Sequence, residues 1–246
     1  MQRYKLLIAY DGFGYSGWQV QPGMKTIQGE LEKCFHRLTG EAIKVHGSGR
    51  TDQGVHAAGQ TAHVDLPGYL PERKIIQAAN AILPPDIRIL KIRRASDSFH
   101  ARRDASAKEY RYFIWNGPVL PPLLCRYRIH IRQPLDISGM QAAAAHLTGR
   151  HDFAAFTANP RRTVESTVRN LSRLTVQRRG REVVIAARSD GFLYRMVRSL
   201  AGFLIRVGMG DLPPPEAKKI LNQKQRTAVV PTALPQGLFL WRVYYG

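Results

Sequence analysis

One aspartate stands between two glycines and near an arginine in residues 49–57, Gly-Arg-Thr-Asp-Gln-Gly-Val-His-Ala. Glycine permits positive φ angles and lets the backbone approach a ligand closely. Arg50 lies two residues before Asp52 and would project to the same side of an extended chain, where its charge would keep the carboxylate ionised. These are the features of a reactive carboxylate. The same residue types also form ordinary polar turns, so the segment alone fits either a site or a turn.

Positive charge dominates the composition. The 246 residues include 37 Lys and Arg against 18 Asp and Glu, a formal net charge of +19. Such a balance is typical of proteins that bind a polyanion, above all nucleic acid. The alternative, charge that serves only solubility, would explain a mixed surface better than one of a single sign. The arginines are spread along the chain as Arg93 with Arg94, Arg102 with Arg103, Arg126 with Arg128, Arg161 with Arg162, Arg178 with Arg179, and Arg195 with Arg198.

Cysteine and histidine usage excludes several classes of protein. Cys34 and Cys125 are the only cysteines, so we expect neither a disulfide framework nor a cysteine-rich zinc site. The histidines are scattered without a recognisable metal-ligand spacing, and we expect no metal. No apolar stretch approaches the length of a membrane span, and the first residues lack a long apolar segment. The sequence therefore predicts a soluble, cytoplasmic protein.

Apolar periodicity predicts strands and helices in both halves of the chain. This mixture indicates α/β layers, with sheets covered on one side by helices. The boundary falls near residues 100–108, which gives halves of 1–105 and 106–246. Predicted strands cover 4–10, 43–46, 58–66, 87–94, 108–115, 170–178, 182–189 and 238–244, and predicted helices cover 26–38, 71–82, 137–147, 192–207 and 216–221.

A glycine-rich run, Gly-Phe-Gly-Tyr-Ser-Gly at 12–17, has the spacing of a dinucleotide-binding loop. Those glycines must open a helix whose N-terminus meets the pyrophosphate. Here the predicted helix begins only near Thr26, so the context excludes that function. The loop could instead contact RNA or be purely structural.

Two further segments could contact nucleic acid. Period-two alternation places Tyr110 and Tyr112 on one face of a strand, where they could pack in the core or stack on an unpaired base. In the predicted helix from residue 192, Arg195 and Arg198 lie on a different face from the apolar stripe. Arginine near a helix start opposes the macrodipole, which favours an anionic neighbour or ligand there. An ordinary exposed arginine is the alternative.

In combination, separated segments of the chain resemble the TruA family of pseudouridine synthases. The resemblance spans nearly the whole chain, and several blocks in the right order are more specific than one motif. Gln53 stands where the family usually has alanine, directly after the aspartate. The matching blocks are 10–12, 49–57, 98–102, 110–112, 151–153 and 192–198.

The resemblance implies a cofactor-free isomerisation of uridine to pseudouridine at positions 38, 39 and 40 of the tRNA anticodon stem-loop. Asp52 would be the essential carboxylate, acting as nucleophile or base, and Arg50 would orient it and keep it charged. Tyr110 would stack on the target base, and Arg195 would pair with Asp52 or a phosphate. Further substrate-binding residues implied are Phe99, His100, Arg102 and Arg198.

The resemblance also implies a fold class and an assembly. The fold is α+β, with two similar halves whose mainly antiparallel sheets meet in a central basic active-site cleft, and with helices on the outer faces. The protein would be a homodimer that takes tRNA as its partner and needs no metal. Two alternatives stay open: a non-catalytic RNA-binding module, and a pseudouridine synthase that acts on another RNA.

Overall fold

The computed structural model describes residues 1–158 and 165–246. The basic pair Arg161 and Arg162 lies outside these residues. The chain forms two compact units, one of residues 1–106 with 239–246 and the other of residues 107–238. The halves inferred from sequence, 1–105 and 106–246, divide the chain differently at its end, because the last eight residues belong to the first unit.

The first unit begins with strands and helices that follow one another along the chain. Its elements are β1 (Gln2–Tyr10), α1 (Ile27–Thr39), β2 (His46–Gly47), β3 (His56–Leu66), α2 (Glu72–Ile82) and β4 (Ile87–Arg94).

Burial alternates along β1, which accounts for its conformation as a strand. Tyr4, Leu6, Ile8 and Tyr10 are buried, and the residues between them are half-buried, as expected for a strand with one face against a core. The strand pairs antiparallel with β3 on one side and with β4 on the other. β1 is therefore central among these three strands, which matches its long apolar run.

Helix α1 forms where the sequence predicted it. The Thr26 side chain accepts a hydrogen bond from the Gly29 N–H at 3.2 Å, which caps the helix start. Gly40 ends the helix with a φ of 76°, a conformation that costs glycine little. Between these caps, Ile27, Leu31, Cys34 and Phe35 are buried.

The second unit carries the remaining helices and most of the remaining strands. Its elements are β5 (Ala105–Asn116), whose first two residues still belong to the first unit, β6 (Ile129–Ile131), α3 (Ile137–Leu147), β7 (Gly149–Asp152), β8 (Val168–Leu171), β9 (Arg173–Arg179), β10 (Glu182–Ser189), α4 (Met196–Gly208) and α5 (Glu216–Gln223), with short 3₁₀ helices at Pro122–Leu124, Ala154–Phe156 and Pro235–Gly237.

Strands β5, β10 and β9 are antiparallel neighbours in that order, and β6 pairs with β5 in parallel. The single strand predicted over 170–178 is wrong: β8 pairs with β7 in a separate two-stranded sheet, whereas β9 pairs with β10. The predicted helix over 192–207 is also wrong at its start, because α4 begins at Met196.

The last strand, β11 (Leu238–Tyr245), returns to the first unit. It pairs in parallel with β3, with Phe239 opposite His56 and Leu240 opposite Ala57. The contact is close, since a Cβ atom at Gly59 would lie 2.5 Å from the Trp241 carbonyl oxygen. Within the first unit the strand order is therefore β4-β1-β3-β11, with β2 also on β3.

The predicted class, mixed α and β with mainly antiparallel sheets, is confirmed. Within the part of the chain that the structure describes, the β3–β11 and β5–β6 pairs are parallel and the others given above are antiparallel. No helix among these residues is both long and apolar enough to cross a bilayer.

Candidate active site

Asp52 is the first residue of a tight turn between β2 and β3. The Val55 N–H donates to the Asp52 carbonyl oxygen at 3.1 Å, and Gly54, the third residue of the turn, has a φ of 75°. This is the pattern of a type II turn, which needs positive φ at its third residue and therefore favours glycine there. Gln53 takes the second position and is exposed. That position tolerates most residues, so glutamine is compatible with the turn.

Thr51 fixes the chain immediately before Asp52. Its hydroxyl is hydrogen-bonded to the Tyr10 hydroxyl at 2.8 Å, and its carbonyl oxygen accepts from the Trp18 N–H at 3.1 Å. Burial raises the pKa of Tyr10, so the phenol keeps its proton at neutral pH. The loop is thus tied to the end of β1 and to the loop that follows β1.

Two glycines of the loop after β1 contact the backbone on either side of this turn. A Cβ atom at Gly12 would lie 2.0 Å from the Val55 carbonyl oxygen, and one at Gly17 would lie 2.6 Å from the Thr51 carbonyl oxygen. No side chain fits at either position. The glycine-rich run therefore serves close backbone packing against the aspartate turn, and α1 begins only ten residues after Gly17.

Asp52 and Arg50 differ in exposure. Asp52 is half-buried, and Arg50 is exposed. Asp52 therefore keeps part of its surface exposed, while its backbone is held on both sides. The expected effect of Arg50 on the charge of Asp52 stays a prediction.

Tyr110 lies on β5, in the second unit, opposite Ala187 of β10. Its ring meets the Phe192 ring edge to face, with centroids 5.1 Å apart and planes at 86°, and 8% of the residue is exposed. Tyr112 is fully buried on the same face of the strand, and its hydroxyl donates to the Leu234 carbonyl oxygen at 2.8 Å. Both tyrosines are therefore buried, Tyr112 completely and Tyr110 with a small exposed fraction.

Arg195 is the N-cap of α4 rather than a residue inside the helix. Its φ of 55° and ψ of 16° are left-handed, which interrupts the helix that the sequence predicted from residue 192. Its carbonyl oxygen accepts from the Ser199 N–H at 3.0 Å, and its guanidinium lies 4.8 Å from the centre of the Tyr194 ring. The side chain is exposed.

Arg198 belongs to the packed side of α4. It is 9% exposed, and its Nε donates to the Ala233 carbonyl oxygen at 2.8 Å. The Ala233 N–H in turn donates to the Arg198 carbonyl oxygen at 3.0 Å. These bonds hold the segment around residue 233 against the helix, and a contact between Arg198 and substrate stays a prediction.

Phe99 and His100 lie beside His63, with ring centroids 6.2 Å and 4.8 Å from it. His63 also stacks on His46 at 4.8 Å, with an interplanar angle of 16°. Arg102 is exposed, and its backbone N–H donates to His100 Nδ1 at 3.2 Å. The three predicted substrate-binding residues of this loop are therefore close together, and Arg102 is the most exposed of them.

Burial and the nearby His46, Arg3 and His100 lower the pKa of His63 to about 4. Its Nδ1 accepts a hydrogen bond from the Ala101 N–H at 3.2 Å, which also requires an unprotonated nitrogen. His63 is thus neutral at pH 7. Across residues 1–158 and 165–246, no group of three or more His, Cys, Asp and Glu is arranged to hold a metal ion.

Sequence reasoning missed the residues that hold the aspartate turn. Tyr10 and Thr51 lie inside the matching blocks but had no predicted role, and for the loop that contains Gly12 and Gly17 the sequence left RNA contact and a purely structural role open. His56 was passed over as one of several scattered histidines. Their contacts with one another span more than thirty residues of sequence, which no local pattern reveals.

Comparison with known proteins gives a consistent result. A family model described as tRNA pseudouridine synthase matches residues 6–103 and 143–246. "tRNA pseudouridine synthase A" of Brevibacillus brevis and that of Geotalea uraniireducens are each 45% identical over 245 residues, which is 100% of both chains in each case. The protein of the same name from Bacillus subtilis is 42% identical over 99% of both chains. The chain therefore belongs to the tRNA pseudouridine synthase family.

Proposed function

We propose that the protein converts uridine to pseudouridine at positions 38, 39 and 40 of the tRNA anticodon stem-loop. Two observations support this proposal. The chain aligns along its full length with relatives named "tRNA pseudouridine synthase A". The observation that carries the mechanism is the half-buried Asp52, set at a glycine turn whose backbone is fixed before and after it.

The proposed reaction is an isomerisation, so its atoms balance without a cofactor. The bond from C1′ to N1 breaks, the uracil turns, and a bond from C1′ to C5 forms. C5 loses a proton and N1 gains one. Asp52 acts either as a nucleophile at C1′ or as a base that removes a proton, and both routes need the ionised carboxylate.

The remaining site residues have proposed roles around the base and the backbone. The target uridine has to leave its stack to reach a carboxylate, and an aromatic ring compensates for the stacking it loses. We assign that role to Tyr110. Arg195 pairs with Asp52 or with a phosphate, and Arg50 keeps Asp52 charged. The proposed further tRNA contacts are Phe99, His100, Arg102 and Arg198.

We also propose that the protein acts in the cytoplasm as a homodimer. Light scattering during gel filtration tests the assembly. A mass close to twice 27.7 kDa is the expected result, and a mass near that of one chain contradicts the dimer.

Release of tritium from tRNA transcripts that carry [5-³H]uridine tests the activity. The wild-type protein should release tritium, and Asp52→Asn and Asp52→Ala should abolish release while still binding tRNA. Gln53→Ala is the matched control, since its side chain is exposed at the neighbouring position of the same turn. Transcripts in which uridine 38, 39 or 40 is replaced by cytidine identify the target positions.

The outcomes separate the competing functions. Release by Asp52→Ala at the wild-type rate would rule out a catalytic Asp52. Binding of tRNA without release by the wild-type protein would favour a non-catalytic RNA-binding module. Release from another RNA, but not from tRNA, would favour a synthase with a different substrate.

A further inference from the structure

His56 is the first residue of β3 and directly follows the aspartate turn. It is completely buried, and its ring stacks on Phe239 of β11, with centroids 4.6 Å apart and planes at 25°. Its Nδ1 lies 3.1 Å from the Gly12 backbone nitrogen, which donates to it. The same Nδ1 lies 3.0 Å from Asp11 Oδ1. The ring is therefore held in one orientation, with Nδ1 directed at the loop after β1.

The partners of Nδ1 constrain its protonation. A backbone N–H can only donate, so the bond from Gly12 requires a lone pair at Nδ1 of His56. A proton on Nδ1 would replace that bond with one to Asp11. Asp11 Oδ1 also accepts from the Phe13 N–H at 2.9 Å, so the carboxylate has a backbone donor of its own. The bond to Gly12 consequently belongs to the form of His56 that has no proton on Nδ1.

Gly12 in turn packs against the aspartate turn. The close approach of Gly12 to the Val55 carbonyl oxygen leaves no room for a side chain. On the other side of Asp52, the Trp18 N–H donates to the Thr51 carbonyl oxygen. One loop, residues 11–18, therefore contacts the backbone both before and after Asp52. The hydrogen bond from Gly12 to His56 fastens this loop on the Val55 side.

We infer that His56 is a positioning residue for Asp52, which it holds in place by fixing Gly12 against the aspartate turn. The catalytic part of this inference rests on the proposed function. A shift of about 1 Å in a reacting group can lower a rate by roughly 100-fold. Loss of the Gly12 bond should therefore slow the chemical step more than it weakens tRNA binding.

Three substitutions separate positioning from simple burial. In His56→Asn, the side-chain carbonyl oxygen can take the place of Nδ1 and accept from Gly12. In His56→Gln, the side-chain amide lies one bond farther from the backbone, at the position of Nε2 rather than Nδ1, so it does not replace the acceptor for Gly12. His56→Leu fills the space without a polar atom. If the leucine variant does not fold, the asparagine and glutamine pair still makes the comparison.

The measurements are the single-turnover rate of pseudouridine formation, the Kd for tRNA, and hydrogen exchange of peptides covering residues 10–18 and 49–56. We expect His56→Leu and His56→Gln to lower the rate roughly 10- to 100-fold, with Kd within about twofold of the wild type, and with faster exchange in both peptides. His56→Asn should restore the rate to within roughly threefold of the wild type and should restore slow exchange, because it keeps the acceptor.

The results that would contradict the inference differ from those that would contradict the proposed function. Wild-type rates in His56→Gln despite faster exchange would show that Asp52 does not depend on this contact. Equal loss of rate in the asparagine and glutamine variants would assign His56 a role other than accepting from Gly12. A wild-type protein without any turnover would contradict the proposed function, and unchanged exchange in all variants would then contradict the structural part of the inference independently.

Discussion

At the scale of single residues, the backbone of Arg195 is the most unusual in the proposed site. Among the described residues, Arg195 and Lys224 are the two non-glycine residues with positive φ, at 55° and 51°. A left-handed conformation costs a non-glycine residue on the order of 1 kcal/mol. At Lys224 it ends α5, where glycine is the usual residue. At Arg195 the left-handed conformation instead precedes the first residue of α4, and the start of a helix does not require a positive φ.

Replacement of both residues by glycine should separate stability from function. Arg195→Gly and Lys224→Gly should each leave the free energy of unfolding unchanged or raise it by up to about 1 kcal/mol, because glycine adopts positive φ without strain. Only Arg195→Gly should slow turnover, by roughly 10-fold or more, if the guanidinium contributes electrostatically. Urea denaturation and single-turnover kinetics measure the two effects. Wild-type turnover in Arg195→Gly would remove Arg195 from the mechanism.

His63 should make the stability depend on pH. Its pKa is about 4 in the folded protein, against an ordinary value of 6.5. As pH falls below 6.5 the unfolded chain binds a proton that the folded protein does not, so stability declines until pH 4, by on the order of 3 kcal/mol.

Urea denaturation between pH 7 and pH 4 measures this decline. His63→Asn is the test variant because its side-chain oxygen can still accept from the Ala101 N–H. The variant should lose less stability than the wild type over this range. Equal pH dependence in the two proteins would show that His63 is not the group responsible.

At the scale of elements, α4 combines a packed helix with a close backbone contact. A Cβ atom at Gly202 would lie 2.3 Å from the Pro231 carbonyl oxygen, and Arg198, one turn earlier, bonds to Ala233 in both directions. The helix therefore fixes the chain around residues 231–233. This contact explains a glycine in the middle of a helix, where glycine is otherwise unfavourable.

Gly202→Ala should destabilise the protein although alanine is the better helix former. The added methyl group would displace backbone, and overpacking of this kind costs about 1 to 3 kcal/mol. Gly14→Ala is the control, because a Cβ atom there has no other atom within 4 Å. Denaturation midpoints of the two variants give the comparison. A Gly202→Ala protein as stable as the control would contradict the close contact.

Elements with strong local preferences were predicted well. Thr26 as a cap and the apolar spacing of Ile27, Leu31 and Phe35 predicted α1 to within one residue at each end. The start of α4 was not predictable, because a left-handed arginine is unfavourable locally and has to be stabilised by its surroundings. The division of 168–179 into β8 and β9 likewise depends on pairing with different partners rather than on composition.

At the scale of the whole molecule, the net charge of +19 should dominate tRNA binding. Each phosphate contact releases counterions, so affinity falls steeply as salt rises, by roughly 100-fold or more between 50 and 200 mM for several contacts. Filter binding over a salt series measures the slope. A flat response would contradict an electrostatic role for the charge.

A matched pair of variants tests whether one arginine contributes to this salt dependence of tRNA affinity. Arg102→Ala should reduce its magnitude by about one unit if this exposed side chain contacts a phosphate. Arg93→Ala is the control, because Arg93 already pairs with Glu72 at 2.6 Å. Equal slopes for Arg102→Ala and the wild type would remove Arg102 from the tRNA contacts.

The sequence by itself was sufficient to predict the family, because several separated blocks of residues match it in the right order, and the comparisons confirm that prediction. The tRNA substrate and the candidate aspartate followed from that resemblance, and the catalytic role of Asp52 stays a prediction. Local periodicity also determined the mixed α and β class, since helices and strands differ in apolar repeat.

Only the tertiary structure decided how the aspartate turn is held. Gly12, Gly17 and Tyr10 contact residues some 34 to 43 positions later in the chain, and the turn is fixed by close backbone approach and by hydrogen bonds that local patterns do not encode. The return of β11 to the first unit has the same origin, because strand pairing joins His56 and Phe239 from distant parts of the sequence. A sequence specifies which groups can react; long-range packing decides which of them are held still.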